Sequence, residues 1–248
     1  MSNISGKDGY VTRQVSGVDT LVDGIREWSL NYAVDMIDTT SFSSSGVTHK
    51  SFTPVLKGAT GTLAGNHTDG DTGLDVGTSY NIMLVVDSNR AYYGAAYITG
   101  IEPNVVVDGE ATLGYNFQFT GKTYILGADV VVDGDFTAAD GSAWDVSDAD
   151  VAYDATGNQL DWSGDADVVP ASNDVITNAA EYWTQMKIEN EAGTSSLQLK
   201  LGTSAGTERT SDGTYTEFIT ANSTTFTIVG VSDNAISLSE IIIRPVEN

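Results

Sequence analysis

The stretch Thr112-Leu-Gly-Tyr-Asn-Phe-Gln-Phe119 alternates polar and apolar residues along its whole length. Because successive side chains of a β-strand point to opposite faces, this period of two predicts a strand with one buried face. The same alternation recurs at Trp28, Leu30, Tyr32 and Val34 and at Tyr80, Ile82, Leu84 and Val86. Glycine is plentiful, and no stretch sustains a helical period. The sequence therefore predicts an all-β protein of short strands, arranged as sandwiches or barrels.

The composition excludes several classes of function. The chain has 248 residues, no cysteine, two histidines and a formal net charge of −23. The lack of cysteine excludes a disulfide scaffold, a thiolate metal site and a cysteine nucleophile. So strong an acidic excess argues against a protein that grips nucleic acid, which needs cations to displace counterions. The first residues contain no apolar run, so we expect no signal peptide. No apolar run in the chain approaches about 18 residues, so we expect no membrane span.

The acidic residues are distributed unevenly between two predicted domains. Residues 1–127 carry a net charge of −6, and residues 128–248 carry −17. The change coincides with a strand-like run, Thr123-Tyr-Ile-Leu-Gly-Ala-Asp-Val130, that is interrupted by a glycine. We therefore place the domain boundary between residues 127 and 128, with no long linker.

A long Ser/Thr-rich stretch, residues 38–52, separates two of the predicted strands, one ending near Met36 and one starting near Thr53. Structureless connections of this length are uncommon and are usually functional or ordered on binding. The alternative interpretation is a mobile surface loop.

The residues around this stretch carry a family resemblance. Trp28-Ser-Leu-Asn-Tyr-Ala-Val-Asp-Met-Ile-Asp-Thr-Thr-Ser-Phe42 is followed by Gly46, by Lys50-Ser-Phe-Thr-Pro-Val-Leu-Lys-Gly58 and by Gly61-Thr-Leu-Ala-Gly65. This order of pieces resembles the major tail tube proteins of long-tailed, siphophage-type bacteriophages over roughly residues 8–125. The resemblance implies a tail-tube-type β-sandwich that closes with its copies into a hexameric ring, and rings that stack into a conduit for DNA ejection.

The resemblance also implies which residues make contacts and with what. The long loop would contact the neighbouring subunit or ring through Asp38, Thr39, Thr40, Ser41, Phe42, His49, Lys50 and Phe52. Its hydroxyl groups can hydrogen-bond to a partner backbone, and its two phenylalanines can fill pockets. The implied partners are other copies of the chain, the tape measure protein, other tail proteins, and genomic DNA that passes without specific binding. The implied location is the virion tail, after synthesis in the host cytoplasm.

Residues 128–248 show a different series of segments, which are Val132-Asp-Gly-Asp-Phe136, Trp144-Asp-Val146, Tyr182-Trp-Thr-Gln-Met-Lys-Ile188, Ser196-Leu-Gln-Leu-Lys-Leu-Gly202, Gly213-Thr-Tyr-Thr-Glu-Phe-Ile-Thr220 and Ile236-Ser-Leu-Ser-Glu-Ile-Ile-Ile243. This series resembles a jelly-roll β-sandwich of the carbohydrate-binding type. The resemblance implies a C-terminal decoration domain on the tube exterior, with host-surface glycans as a further partner.

Strand phasing gives this domain a candidate glycan platform. Tyr182, Met186 and Ile188 share one face of a strand, so Trp183 lies on the opposite, polar face. An exposed indole beside polar side chains is suited to stacking on a sugar ring. The candidate platform is Trp183, Gln185, Lys187, Gln198 and Lys200. The alternative is that a loop or the other domain covers Trp183. Trp144 and Trp162 are expected in the core.

The sequence assigns no metal site and no catalytic residue. Related jelly rolls often hold a structural calcium ion near positions that correspond to Asp135 and Glu240, and carboxylates suit calcium. Calcium is therefore a possible cofactor that the residues do not establish. The chain has no Gly-x-Ser-x-Gly elbow, no P-loop and no recognisable histidine triad, so we expect no enzyme. The alternative function is a non-catalytic surface carbohydrate-binding protein whose first domain is a linker.

Overall fold

The computed structural model describes residues 9–15, 18–39, 52–67, 73–105, 107, 109–137, 143–171, 176–189, 195–231 and 235–247. Every regular element within these ranges is a β-strand, which confirms the predicted all-β class. No helix in the described part of the chain is long and apolar enough to cross a membrane.

The described residues form eighteen strands. Their bounds are β1 Tyr10–Val15, β2 Val18–Leu21, β3 Ile25–Asp38, β4 Phe52–Asn66, β5 Ser79–Asp87, β6 Arg90–Asn104, β7 Thr112–Phe119, β8 Tyr124–Leu126, β9 Trp144–Asp145, β10 Val151–Asp154, β11 Gln159–Trp162, β12 Ala166–Pro170, β13 Glu181–Glu189, β14 Ser196–Leu201, β15 Ser204–Ala205, β16 Gly213–Thr220, β17 Phe226–Val231 and β18 Ile236–Glu247.

The chain divides into two compact units. The first unit comprises Met1–Gln14, Thr20–Val86 and Tyr92–Tyr124, and the second comprises Val15–Asp19, Asp87–Ala91 and Ile125–Asn248. The main division falls between residues 124 and 125, whereas the sequence alone suggested 127 and 128. The two short segments that cluster with the second unit have no counterpart in the sequence prediction.

The first unit is built on a four-stranded antiparallel sheet in the order β3-β4-β7-β6. β6 continues through β5 to β1, and β1 pairs antiparallel with β5. The core contains the apolar face of β7, where Tyr115, Phe117 and Phe119 are buried beside Leu63 and Ile98. The alternation in residues 112–119 therefore predicted the buried face of β7 correctly.

The second unit is a sandwich of two sheets. One sheet has the order β10-β11-β18-β13-β16, and the other has the order β15-β14-β17-β12-β9. Trp144 and Trp162 lie in the apolar core between them, as the sequence predicts. The Trp162 indole Nε1 donates a hydrogen bond to the Ala166 carbonyl at 3.1 Å. Gly230 on β17 leaves the space that this indole occupies, because a Cβ there would lie 2.4 Å from its Cδ1 atom.

The Gly-Asp-Phe element that the sequence singles out is a structural turn. Phe136 is fully buried and has a positive φ of 52°. Three hydrogen bonds to backbone carbonyls hold this turn. Trp144 Nε1 donates one to Asp133, and the Tyr153 hydroxyl donates one to Phe136. The backbone amide of Ile241 donates the third to Gly134. The element therefore anchors the start of the second unit to β18.

Candidate functional site

The most prominent feature of the first unit is a long β-hairpin. β3 and β4 have 14 and 15 residues, and their antiparallel register extends from Ile25↔Gly65 to Asp38↔Phe52. The strands thus extend slightly further toward the loop than the ends predicted near Met36 and Thr53. The Thr39 and Thr53 hydroxyl oxygens lie 3.3 Å apart at this end. The connection is therefore a hairpin loop, as the family resemblance implies.

The predicted contact residues fall on both sides of the limit of the described chain. Asp38 and Phe52 end and begin the two strands, and Thr39 follows directly. Thr40, Ser41, Phe42, His49 and Lys50 lie outside the described residues. The contact role of the whole set stays a prediction.

The outer half of the hairpin projects beyond the sheet. β7 pairs with β4 from Asn66 only as far as Thr60, which is opposite Asn31 on β3. Beyond that point β3 and β4 form a two-stranded ribbon. The expectation that Tyr32 and Val34 are half-buried is therefore wrong. Both are exposed because none of the other described strands pairs with this part of the ribbon.

The ribbon carries an exposed apolar face that we call the stem face. It consists of Tyr32, Val34, Met36 and Phe52, whose exposed fractions are 54%, 43%, 51% and 49%. The three β3 residues share a face by strand alternation, and Phe52 joins them because it pairs with Asp38. The sequence signal was present, since the apolar alternation that begins at Trp28 continues to Met36. Four large apolar side chains gathered on an unsupported ribbon indicate an interaction surface.

The four-stranded sheet has two open edges. Among the described strands, β3 pairs with β4 alone. At the other side, Ile98 of β6 exchanges backbone hydrogen bonds with residues 77 and 78, which precede β5. Beyond Ile98, the strand that pairs with residues 100–104 of β6 within the described part of the chain is β7. Long unpaired edges are templates for pairing with another chain.

One face of this sheet is polar, and the residues that line its central cavity carry no formal charge. A shallow cavity of about 300 Å³ lies there, lined by Ser29, Asn31, Thr60, Gly61, Thr62, Thr99, Asn116, Phe117 and Gln118. Within the lining, the Ser29 and Thr62 hydroxyl oxygens lie 2.8 Å apart. Asn116 donates a hydrogen bond at 2.7 Å to the carboxylate of Glu102, which lies outside the lining. The lining contains no lysine and no arginine, so it offers no cation that would pair with a phosphate.

The structure does not bring the candidate glycan platform together. Trp183, Gln185 and Lys187 lie on β13, whereas Gln198 and Lys200 lie on β14 in the opposite sheet of the sandwich. Since both strands turn their apolar residues to the shared core, their polar faces point away from each other. The prediction of one platform is wrong because neighbouring strands in sequence belong to different sheets.

Trp183 itself is not available for stacking. Its side chain is 1% exposed, and Gln185 beside it is 4% exposed. The Gln185 amide donates a hydrogen bond to the Glu240 carboxylate at 2.8 Å. Lys187 is half-exposed and pairs with Glu189. The polar face of β13 is thus largely buried at its Trp183 end, and the exposed indole that sequence phasing suggested is absent.

The residues suggested for calcium are engaged separately. Asp135 accepts a hydrogen bond from Thr137, and Glu240 accepts the one from Gln185. Within the described ranges, no group of three or more histidine, cysteine, aspartate or glutamate side chains is placed to hold a metal. The present arrangement does not fit a calcium cage around these two carboxylates, and calcium stays a prediction.

Asp129 is a buried carboxylate near the start of the second unit. Its Oδ1 accepts hydrogen bonds from the backbone amides of Val131 and Ile243, both at 3.0 Å. Burial raises the pKa of Asp129, and these two hydrogen bonds and the nearby Arg244 oppose the rise. The residue fastens β18 to residues 129–131, which is a structural role.

No protein-family model matches the chain. No curated protein matches it either. Solved structures similar to it include a tail protein of a gene transfer agent particle with C6 symmetry, at 21% identity and a TM-score of 0.42, covering 48% of this chain and 96% of that one. The tail tube protein of phage SPP1 is similar at 19% identity and a TM-score of 0.39, and the match covers 50% of this chain and 80% of that one. The SPP1 Dit protein, a hub adsorption protein, is similar at 12% identity and a TM-score of 0.36, and the match covers 96% of this chain and 99% of that one. At these identities the likeness is one of fold.

Proposed function

We propose that this chain is the major tail tube subunit of a phage-type tail. Copies join edge to edge into rings, six to a ring as the sequence resemblance implies, and the rings stack into a tube. The tube conducts genomic DNA during ejection. The second unit projects outward as a decoration domain, and the tape measure protein and other tail proteins are the remaining partners.

The observation that carries this proposal is the open-edged sheet of the first unit. Its four strands alternate in direction, so β3 and β6 are antiparallel to each other. A head-to-tail ring that pairs β3 of one copy with residues 99–104 of β6 in the next therefore continues an antiparallel sheet without interruption. Such pairing closes both edges, which would otherwise be an aggregation hazard.

Passage of DNA is supported by the polar face of the same sheet. A conduit wall should offer neutral hydrogen-bonding groups and no cations, since each phosphate contact adds affinity that slows release. The lining of Ser29, Asn31, Thr60, Thr62 and Gln118 meets this requirement. We therefore place this face toward the lumen.

The assembly is tested with the purified full-length chain. Each copy carries a charge of −23, so we expect rings or tubes to form as protein concentration and salt are raised, because salt screens the repulsion between copies. Light scattering gives the mass, and negative-stain electron microscopy gives the ring. A chain that stays monomeric across the whole series, including with fragments of assembled tail as seeds, contradicts the proposal.

Glycan binding by the second unit is a separate proposal that rests on the sequence resemblance. A glycan array with the full-length chain tests it, and an array without hits contradicts it. The alternative, a surface carbohydrate-binding protein, loses its main support because Trp183, the centre of the aromatic platform that it requires, is buried.

A further inference from the structure

A short segment of the second unit, residues 204–209, covers one edge of β14, and we call it the strap. β14 pairs with β17 on its other side. The contacts with the strap begin at β15 and end where Leu197 and Arg209 exchange two backbone hydrogen bonds of 2.9 Å. Within the described part of the chain, β14 would therefore be the edge strand of its sheet if the strap were moved away.

The strap does not follow β14 as a regular strand. The Gly206 amide donates a hydrogen bond to the Leu199 carbonyl at 2.8 Å, and further along, backbone hydrogen bonds join Arg209 to Leu197. Between these contacts the strap advances by three residues while β14 advances by two, so the strap contains a bulge. The bulge lets polar groups of the strap turn from β14 toward the opposite sheet of the sandwich.

Glu217 on β16, in that opposite sheet, holds the strap in place. Its carboxylate accepts hydrogen bonds from the backbone amide and the hydroxyl of Thr207 at 2.9–3.0 Å. Arg209 forms an ion pair with the same carboxylate at 3.6 Å, and its guanidinium lies over the Tyr215 ring. The Glu217 and Arg209 side chains are 18% and 20% exposed. Because both charges are largely removed from water, loss of either one leaves the other poorly paired, which is costly.

The strap also lies too close to Glu217 for a side chain to fit between them. A Cβ atom at Gly206 would lie 2.3 Å from Oε1 of Glu217. From the other side, the side-chain amide of Gln198 on β14 donates a hydrogen bond to the Gly206 carbonyl at 2.9 Å. The strap thus joins the two sheets, and its closed position depends on the charge of Glu217.

The edge beneath the strap is suited to pairing with a second copy of itself. The second unit is strongly acidic, but residues 192–207 contain one lysine and no aspartate or glutamate. An antiparallel pair of β14 strands centred on Leu199 places Lys200 of each copy opposite Gln198 of the other, so no like charges face each other. Pairing of identical strands about a two-fold axis closes after two copies.

We propose that the strap is an autoinhibitory cover, which hides the edge of β14 from a second copy, and that Glu217 is the latch that keeps it closed. When the strap opens, the exposed edges of two copies pair as antiparallel strands. The inference concerns the second unit alone and does not rest on the tube function. In any assembly that brings second units side by side, closed straps keep them from joining.

The latch is tested by hydrogen exchange of the full-length chain with Glu217→Gln. The matched control is Glu189→Gln, which removes the same charge from an ion pair with Lys187 whose side chains are 40% and 46% exposed. We expect exchange in peptides that cover residues 196–209 to be roughly tenfold faster in Glu217→Gln than in the parent, and unchanged in the control. Peptides from β12 and β18 should keep their protection in both variants.

A disulfide lock separates opening of the strap from a general loss of stability. Lys200 and Ala205 are direct cross-strand partners, and the chain has no cysteine of its own. In Lys200→Cys/Ala205→Cys protein, oxidation therefore forms a single disulfide that ties the strap to β14. With Glu217→Gln added, light scattering of dilute protein at low salt should give about twice the mass of the parent under reducing conditions and the mass of the parent after oxidation.

The outcomes decide the inference without reference to the tube. Faster exchange in residues 196–209, together with association that oxidation reverses, supports it. Equal exchange in Glu217→Gln and Glu189→Gln, faster exchange without association, or association that persists in the oxidised protein overturns it. Loss of protection in β12 and β18 along with the strap assigns Glu217 a general structural role and also overturns it. The tube function is decided separately, by the presence or absence of rings and tubes.

Discussion

Gly61 lies on β4 between β3 and β7, at a place where a side chain has no room. A Cβ atom added there would lie 2.2 Å from the Ser29 carbonyl oxygen and 2.4 Å from Cζ of Phe117. Gly58 is on the same strand three residues earlier, and a Cβ there would meet nothing within 4 Å. The substitutions Gly61→Ala and Gly58→Ala therefore add the same methyl group to two opposite environments.

The magnitude follows from these contacts. Ordinary carbon contacts lie at about 3.5 Å, so Gly61→Ala requires displacements of about 1 Å in both the Phe117 ring and the backbone of β3. Overpacking of a core costs about 1–3 kcal/mol, and a clash with backbone, which cannot rotate away, places this variant at the upper end. Gly58→Ala should change the free energy of unfolding by less than about 1 kcal/mol, in the stabilising direction, through the reduced entropy of the unfolded chain.

The assay combines urea unfolding with hydrogen exchange of peptides that cover β3, β4 and β7. We expect Gly61→Ala to lower the unfolding midpoint and to speed exchange in all three strands, while Gly58→Ala leaves both close to the parent. If the two variants unfold within about 0.5 kcal/mol of each other, the close packing of β3 against β4 at this position is refuted.

Three further predictions concern the lumen face and the second unit. Gln118→Lys adds a cation to the polar face, so assembled tubes should retain DNA in filter binding, with a salt slope that steepens by about 0.9 for each phosphate contacted; DNA retention equal to the parent would argue against this face as the lumen. Because burial raises the pKa of Asp129 above its ordinary value of 3.8, this carboxyl contributes stability at pH values below 3.8 that is lost as pH rises through the folded-state pKa. The free energy of unfolding of the parent relative to Asp129→Asn should therefore fall as pH is raised from about 3 to 7, and a difference independent of pH would be inconsistent with this burial. Gly230→Ala places a methyl group 2.4 Å from the buried Trp162 ring and should lower the free energy of unfolding by about 1–3 kcal/mol. Thermal unfolding measures this change, and an unchanged melting temperature would show that the Trp162 ring moves without losing its packing.

The features that sequence predicted best are those that depend on neighbouring residues alone. The alternation in residues 112–119 fixed both the strand type and the buried face of β7, because a period of two is a local property of the backbone. Trp144 and Trp162 were expected in the core and are there. Trp162 shares its strand face with Leu160, which is also buried.

The features that sequence missed depend on which strands become neighbours. Alternation correctly put Trp183 opposite Tyr182, but it could not show that both faces of β13 are covered near that end. It could not assign β13 and β14 to different sheets, because that pairing joins strands far apart in the chain. The same limit applies to Tyr32 and Val34, whose exposure follows from where β7 stops pairing with β4.

The outer half of the β3–β4 ribbon has a consequence for the isolated subunit. Beyond the Asn31–Thr60 pair, its backbone hydrogen bonds join only two of the described strands. A two-stranded ribbon is at best marginally stable in water, so this segment should open more easily than the four-stranded sheet that continues from it. Local opening at this end can therefore occur while the core of the first unit stays folded.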